Sequence, residues 1–289
     1  MIAKETIRRL PSWLRRPAPT GSAYERTASI IDSLGLETVC LSANCPNRGQ
    51  CWNSGTATVM ILGSVCTRNC RFCAVTSGKP APPDATEPAR VAQMAQRLEL
   101  NYIVITSVTR DDLADGGAAQ FRNCIRQLKL QSSDTKVEIL TPDFRRCRED
   151  AIEILSDSPP FVFAHNIETV AALYPKVRPG ADYDNSLSLL RIAKQRFDGV
   201  ICKSSIMLGL GETDVQLRHC LHDLRDAGCE RLTIGQYLKP TGSSLDVIEY
   251  VRPEKFQWWK VQALAMGFSW VCSEPFARSS YLAQRQTSP

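Results

Sequence analysis

Cys66-Thr67-Arg68-Asn69-Cys70-Arg71-Phe72-Cys73 follows directly on an apolar run, Ala57 to Leu62, and this pairing decides how the rest of the chain is read. The run reads as a short buried strand. The C-x3-C-x2-C loop after it puts three thiols at a strand end, where sites are built in α/β folds. Three thiolates are one short of the four that complete an iron–sulfur cubane or a closed zinc site. The trio therefore borrows a ligand from elsewhere or leaves one metal position open to a substrate. A structural zinc loop and three free thiols are the alternatives that spacing alone leaves open.

Downstream, extended and helical patterns alternate. Helical spacing over Pro88 to Leu98 is followed by an extended run, Tyr102 to Thr106. The order continues with a helix over Ala118 to Lys129, a strand over Lys136 to Leu140, a helix over Arg148 to Leu155 and a strand over Phe161 to Ala164. It ends with a helix over Asp184 to Arg196, a strand over Val200 to Lys203, a helix over Asp214 to Asp226, a strand over Arg231 to Ile234 and a helix over Pro253 to Met266. Six strand-then-helix units argue for a parallel sheet with helices outside. Eight would close a barrel, so six predict an open or partial one. Upstream lie a helix over Ser22 to Ser33 and a cysteine-rich loop. The expected division is an N-terminal extension over 1–55, the barrel over 56–272 and a tail over 273–289.

Composition narrows the class. The chain has 289 residues, enough for one large domain, and its net charge of +5 is too mild and too dispersed to predict a nucleic-acid partner. Apolar runs stay well short of a membrane span. Cysteine is the unusual residue: six of the twelve fall between Cys40 and Cys73. Met1 to Arg16 is basic but has no apolar signal core, so we expect a cytoplasmic protein with reduced thiols, half of them gathered for a metal or cluster.

Cys40-Leu41-Ser42-Ala43-Asn44-Cys45-Pro46-Asn47-Arg48-Gly49-Gln50-Cys51 is a second trio, spaced C-x4-C-x5-C. Zinc loops favour tighter intervals, because their sulfurs must meet about 2.3 Å from one ion. The looser spacing, with Pro46 and Gly49 as turn residues, suits a larger body such as a cubane. A zinc loop, or a disulfide with a spare thiol, is the alternative.

The first motif, with Phe72 just before its last cysteine, resembles the radical S-adenosylmethionine (SAM) superfamily. Both trios together, in this order and 14 residues apart, resemble the lipoyl synthase family over nearly the whole chain. Further matches are Pro11-Ser12-Trp13-Leu14-Arg15, Ser107-Val108-Thr109-Arg110-Asp111-Asp112-Leu113-Ala114-Asp115-Gly116-Gly117, His165-Asn166-Ile167-Glu168-Thr169, Lys203 to Glu212 and Arg278-Ser279-Ser280-Tyr281. The fold implied is α/β, a partial (β/α)6 barrel of the radical SAM type with the cysteine-loop extension and short tail.

The resemblance implies an enzyme that inserts two sulfur atoms, at C6 and C8, into an octanoyl chain held as an amide on a lysine of a carrier domain. Cys66, Cys70 and Cys73 would hold a 4Fe–4S cluster whose open iron chelates SAM. An electron from that cluster would split SAM into methionine and a 5′-deoxyadenosyl radical able to remove hydrogen from an alkyl carbon. Cys40, Cys45 and Cys51 would hold an auxiliary 4Fe–4S cluster consumed as the sulfur source, with Ser280 as its fourth ligand. An alkoxide is a harder and more exchangeable iron partner than a thiolate, which suits a cluster that must give up sulfide. Implied partners are octanoylated lipoyl domains of 2-oxoacid dehydrogenase E2 subunits and glycine cleavage H protein, a flavodoxin- or ferredoxin-type reductant, and an iron–sulfur carrier that rebuilds the cluster. No nucleic acid, no membrane and no second copy of the chain is implied.

Contacts to SAM are expected from Phe72, from Asn166 and Glu168 at the ribose hydroxyls, and from Lys203 at the methionine carboxylate. The Gly-Gly-Glu segment usual after the second strand is missing; Gly116 and Gly117 lie ten residues beyond it and are followed by Ala118. Arg110, Asp111, Asp112 and Asp115 form a charged loop, either solvated or turned toward the site. His219 and His222 share a helix face and read as a surface pair. The six scattered cysteines read as small core residues, and Phe256, Trp258 and Trp259 as packing of the last helix on the barrel. Competing functions are another radical SAM sulfur inserter, biotin-synthase-like, and a two-cluster electron carrier.

Overall fold

The computed structural model describes residues 10–16 and 21–287. Seven parallel strands pair in strict sequence order: β1 (Thr58–Ile61), β2 (Tyr102–Ser107), β3 (Lys136–Leu140), β4 (Val162–Ala164), β5 (Ile201–Leu208), β6 (Arg231–Gln236) and β7 (Trp270–Ser273). Parallel neighbours need a crossover, and helices supply it. These are α2 (Glu87–Arg97), α3 (Ala118–Gln131), α4 (Arg148–Ser156), α5 (Tyr183–Arg196), α6 (Asp214–Asp226) and α7 (Pro253–Ala265), preceded by α1 (Ser22–Ser33) in the leader.

The helices start where the sequence supplies starting chemistry. Proline stands in the first turn of α2 and of α7, where its missing N–H costs nothing. Asp182 caps α5 by accepting from the Asn185 amide at 2.8 Å, and Thr213 and Gln216 form a reciprocal capping box on α6. Outward-facing strand residues such as Ile105, Ile139 and Phe163 pack on Phe121, Leu155 and Trp259 of the helices in one continuous core. The leader shares it through Ile31, Leu36 and Trp52.

Thr106, Leu140, Ser205 and Gly235, from four different strands, line one cleft, which requires the sheet to curl. In the pairing order β1 and β7 are the two edges, so the curl stays open, a partial barrel. The six expected strands are present, and the structure adds a seventh, Trp270–Ser273, that the sequence reading passed over. It also carries the fifth strand on from Lys203 to Leu208. Two residues per turn of the pleat put Lys203, Ser205 and Met207 on one face. Ser205 and Met207 reach the cleft, and Lys203 lies a layer deeper.

Candidate functional site

The first cysteine loop is a braced structure. Val65–Cys66 pairs with Thr76–Ser77, and the Gly78 amide donates to the Cys66 carbonyl at 2.9 Å. Thr67 donates through its amide (3.1 Å) and its hydroxyl (3.0 Å) to the Thr109 carbonyl beyond β2. Arg68 forks onto Asp111, with Nε at 2.7 Å and Nη2 at 2.8 Å, while its Nη1 reaches Asp143 at 2.6 Å. Burial pushes the Asp143 carboxyl up, but hydrogen bonding and charge from Arg68 outweigh it and leave Asp143 below its ordinary value. The charged loop is therefore chiefly a clamp. Asp111 holds Arg68, Asp112 pairs with Arg110, and Asp115 caps α3 by accepting from the Gly117 and Ala119 amides at 2.9 Å each.

Cys66, Cys70 and Cys73 are free thiols that line the cleft, whose volume is about 450 Å³. Burial pushes the Cys73 thiol up to about 11 and also raises Cys70, and the sulfurs of the trio oppose one another's ionisation. Backbone amides of Arg68 and Val75 point at the sulfurs of Cys66 and Cys73, each at 3.4 Å. Such N–H···S contacts favour the thiolate, and a bound metal cluster is what makes three adjacent thiolates stable. The donor set fits an iron–sulfur body. Among the described residues no three His, Cys, Asp or Glu side chains converge tightly enough for a single metal ion.

The second trio sits on two short helical turns, Val39–Ser42 and Arg48–Asn53, with Cys45 between them. Burial raises the Cys40 thiol, against the pull of the Thr58 amide. Burial, then the sulfurs of Cys40 and Cys45, push Cys51 up to about 12, with Arg16 pulling the other way. Cys45 lines the same cleft as the first trio.

The tail closes this cleft. Asn47 Nδ2 donates to the Phe276 carbonyl at 2.7 Å, Tyr281 donates to Gln50 Oε1 at 3.1 Å, and Arg16 stacks 4.1 Å from the centre of the Phe276 ring. Asn47 and Gln50 both lie between Cys45 and Cys51, so the tail is fastened to the second cysteine loop itself. On its other side it presses on β6: a Cβ at Gly235 would stand 2.1 Å from the Ala277 carbonyl oxygen, so only glycine fits. Arg278, Ser279 and Ser280 line the cleft, and Ser279 Oγ donates to Asn166 Oδ1 at 2.9 Å.

Phe72, Asn166 and Glu168 line the cleft as well. Asn166 Nδ2 donates to Glu168 Oε1 at 3.0 Å, and burial raises the Glu168 carboxyl against the pull of Arg178. Glu168 has φ of 66°, a left-handed conformation held by its amide donating to the Ser205 carbonyl at 3.0 Å. Strain of this kind is tolerated where the surroundings enforce it.

Lys203 must be corrected. Its ammonium lies 2.8 Å from Glu138 Oε1, both side chains fully buried below the cleft, and Tyr102 also donates to Glu138. It is bound to a partner and does not line the cleft. Of the cations that do line it, Arg68, Arg178, Lys239 and Arg278, the one bonded to the Asn166 carbonyl is Arg178, just past the short helix Tyr174–Val177. Its Nη1 donates to the Asn166 carbonyl at 3.0 Å and to the Tyr174 hydroxyl at 2.9 Å, while its buried Nε has no hydrogen-bond partner. Ser107 Oγ and His165 Nε2, both on the cleft wall, are buried and unpartnered in the same way. No spacing pattern announces Arg178; only the fold carries it to Asn166. Gly116 and Gly117 pack on Phe144 and Leu62, and the end of β2 with the residues just after it, Ser107 to Thr109, lines the cleft in their place.

His219 is a surface group 3.7 Å from Asp223. Five of the six scattered cysteines are buried, and Cys272 is half-buried. Phe256 and Trp259 are core residues, whereas Trp258 is exposed.

Residues 60–235 match the model of the radical SAM superfamily. The chain is 51% identical over 280 residues to a lipoyl synthase of Methylococcus capsulatus, covering 97% of this chain and 87% of that one. To a lipoyl synthase of Thiobacillus denitrificans it is 47% identical over 287 residues, covering 99% and 92%. Among solved structures, methylornithine synthase (PylB) superposes with a TM-score of 0.56 at 14% identity, over 74% of this chain and 70% of that one. Streptococcus suis SuiB gives 0.57 at 13% identity, over 78% and 52%. At those identities the likeness is one of fold.

Proposed function

The chain belongs to the lipoyl synthase family of the radical SAM superfamily, and from that premise we propose how its residues share the work. The reaction is the insertion of two sulfur atoms, at C6 and C8, into an octanoyl chain amide-linked to a lysine of a lipoyl domain, and it uses a 4Fe–4S cluster and SAM. Cys66, Cys70 and Cys73 hold that cluster. Cys40, Cys45, Cys51 and Ser280 hold a second one. When bound, the first supplies the electron that cleaves SAM and the second supplies the sulfur.

The observation that carries this division is that one cleft is lined by Cys66, Cys70, Cys73, Cys45 and Ser280 together. An alkyl chain entering it would be open to both donor sets. Arg178 is the cation for the methionine carboxylate, in the role the sequence offered to Lys203. A guanidinium suits a carboxylate because it is planar, stays charged when buried and offers paired donors. Its free Nε is available for that contact. Asn166 and Glu168 meet the ribose hydroxyls, oriented by Ser279, Arg178 and the Ser205 carbonyl. Ser107, whose buried hydroxyl is unpartnered, and Thr109 line the cleft and would offer acceptors to the amino group. Phe72, wedged among Val177, Leu210, Tyr237 and Leu245, gives the adenosyl part an apolar wall.

No helix among the described residues is long and apolar enough to cross a membrane. A cytoplasmic monomer serving E2 lipoyl domains and glycine cleavage H protein accords with the family. So does dependence on a flavodoxin- or ferredoxin-type reductant and an iron–sulfur carrier.

The deciding experiment is anaerobic reconstitution, followed by mass spectrometry of an octanoyl-lysyl peptide incubated with SAM and reductant. We expect a gain of two sulfurs. Formation of 5′-deoxyadenosine with no sulfur gain would redirect the enzyme to another radical chemistry.

A further inference from the structure

Cys70 and Cys73 line two cavities at once. They face the inner cleft, and from behind they form part of a groove of about 380 Å³ with Asn69, Arg71, Pro179 and Ser244. Through Arg71 and Ser244 this groove continues into a second hollow of about 240 Å³ that adds Lys176, Leu210 and Ile248. The cysteine loop thus separates the outer groove from the inner cleft.

The rim of the groove is cationic. Arg71 and Lys176 are exposed and, among the described residues, neither pairs with a carboxylate. Arg145 is exposed, pairs with no carboxylate among the described residues, and spends one N–H on the Gly180 carbonyl at 2.9 Å, next to Pro179. The one carboxylate on the lining, Asp246, is neutralised by Lys239 at 2.7 Å. Ile248, 54% exposed, offers an apolar contact inside the rim. The backbone beneath is firm, with the Arg71 amide on the Val177 carbonyl and the Leu245 amide on the Arg71 carbonyl, each at 3.0 Å.

We propose that this groove docks a small acidic one-electron carrier protein, which reduces the cluster held by Cys70 and Cys73 through the wall of the loop. The proposal rests on the reading that these cysteines hold a reducible cluster. One electron leaves the carrier's reduced centre and enters the cluster; no bond is made or broken at the groove. Apolar contact inside an unpaired basic rim suits a brief, electrostatically steered encounter of small area. The octanoylated domain is the weaker candidate, because its arm must reach between both cysteine trios and the groove touches only Cys70 and Cys73.

The test compares wild-type holoenzyme with Arg145→Glu/Lys176→Glu and with Lys176→Glu alone, using a flavodoxin as the probe. Binding is measured by surface plasmon resonance at low and at high ionic strength, and SAM cleavage is driven either by flavodoxin or by dithionite. We expect flavodoxin affinity to fall about tenfold or more at low salt in the double variant and to converge with wild type at high salt. Dithionite-driven cleavage stays unchanged. Equal flavodoxin affinity in all three proteins overturns the proposal, as does loss of octanoylated-domain binding with flavodoxin binding intact. If the wild type fails to cleave SAM even with dithionite, it is the underlying cluster reading that falls.

Discussion

Arg68 Nη1 stands 2.6 Å from Asp143 Oδ2, and this contact, 7% exposed on the arginine side and fully buried on the other, ties the first cysteine loop to the end of β3. With Asp111 holding the other edge of the same guanidinium, the loop is fixed to two strands before any metal arrives. Removing one partner of such a pair leaves an uncompensated buried charge. Asp143→Ala should therefore lower unfolding stability by about 3 kcal/mol. It should also reduce the iron retained per chain after reconstitution. Denaturant unfolding and iron analysis check this; full stability with full iron content would show the clamp to be dispensable.

The two trios should separate by mutation. Cys70→Ala should abolish 5′-deoxyadenosine formation, while Cys45→Ala should still cleave SAM and transfer no sulfur. Chromatography of the nucleoside beside mass spectrometry of the peptide reads both. Equal loss of SAM cleavage in two folded variants would refute the division of labour.

Neighbouring serines should differ. Ser280→Ala should keep the first cluster's iron and lose iron from the second, along with lipoyl product. Ser279→Ala removes the donor 2.9 Å from Asn166 Oδ1, so it should raise KM for SAM a few-fold while leaving iron content intact. An unchanged iron count and product yield in Ser280→Ala would remove it from the ligand set.

Arg178 takes the carboxylate role that the sequence offers to Lys203, and variants of both should show it. Lys203→Met strands Glu138 in the barrel floor and should cost about 3–5 kcal/mol of stability, much of it recovered in Lys203→Met/Glu138→Gln. SAM affinity of the folded fraction should be unchanged. Arg178→Lys loses the planar fork and should raise KM for SAM about tenfold with little effect on stability. A rise in KM with Lys203→Met alone would restore the original assignment.

What the sequence disclosed and what it withheld have physical causes. Helix Asp214–Asp226 is legible to the residue, since its periodicity and its Thr213–Gln216 capping box coincide, and Ser22–Ser33 is legible from its periodicity alone. The fifth strand was cut short at Lys203 because Ser204 and Ser205 break the apolar run. In the fold Ser204 Oγ accepts from the Ile167 amide at 3.0 Å, and Ser205 lines the cleft. That truncation made Lys203 look like a strand end facing the site. Trp270–Ser273 is too short, and too close to Gly267, to stand out as a strand. The two cysteine trios stand out by their spacing, whereas Ser280 is offered only by the resemblance of Arg278-Ser279-Ser280-Tyr281 to the family's tail. Arg178, Ser107 and His165 were not assigned, since three-dimensional convergence alone gives them their place.

His165 sets a pH limit on the fold. It is buried on the cleft wall, with Nδ1 2.9 Å from the Thr141 carbonyl, so the proton sits on Nδ1 and the ring is neutral. Burial first, then the Arg178 charge, depress it from 6.5 to about 4. A depressed histidine stabilises the fold above its unfolded value, because below about 6.5 the unfolded chain takes up a proton that the native site refuses. Stability should therefore fall as pH drops from about 6.5 to about 4, by roughly 3 kcal/mol in total from this group. His165→Gln keeps a polar side chain without the titration and should flatten that part of the profile. Denaturant midpoints of both proteins across this range measure the difference, and parallel profiles would show that the imidazole protonates freely in the native state.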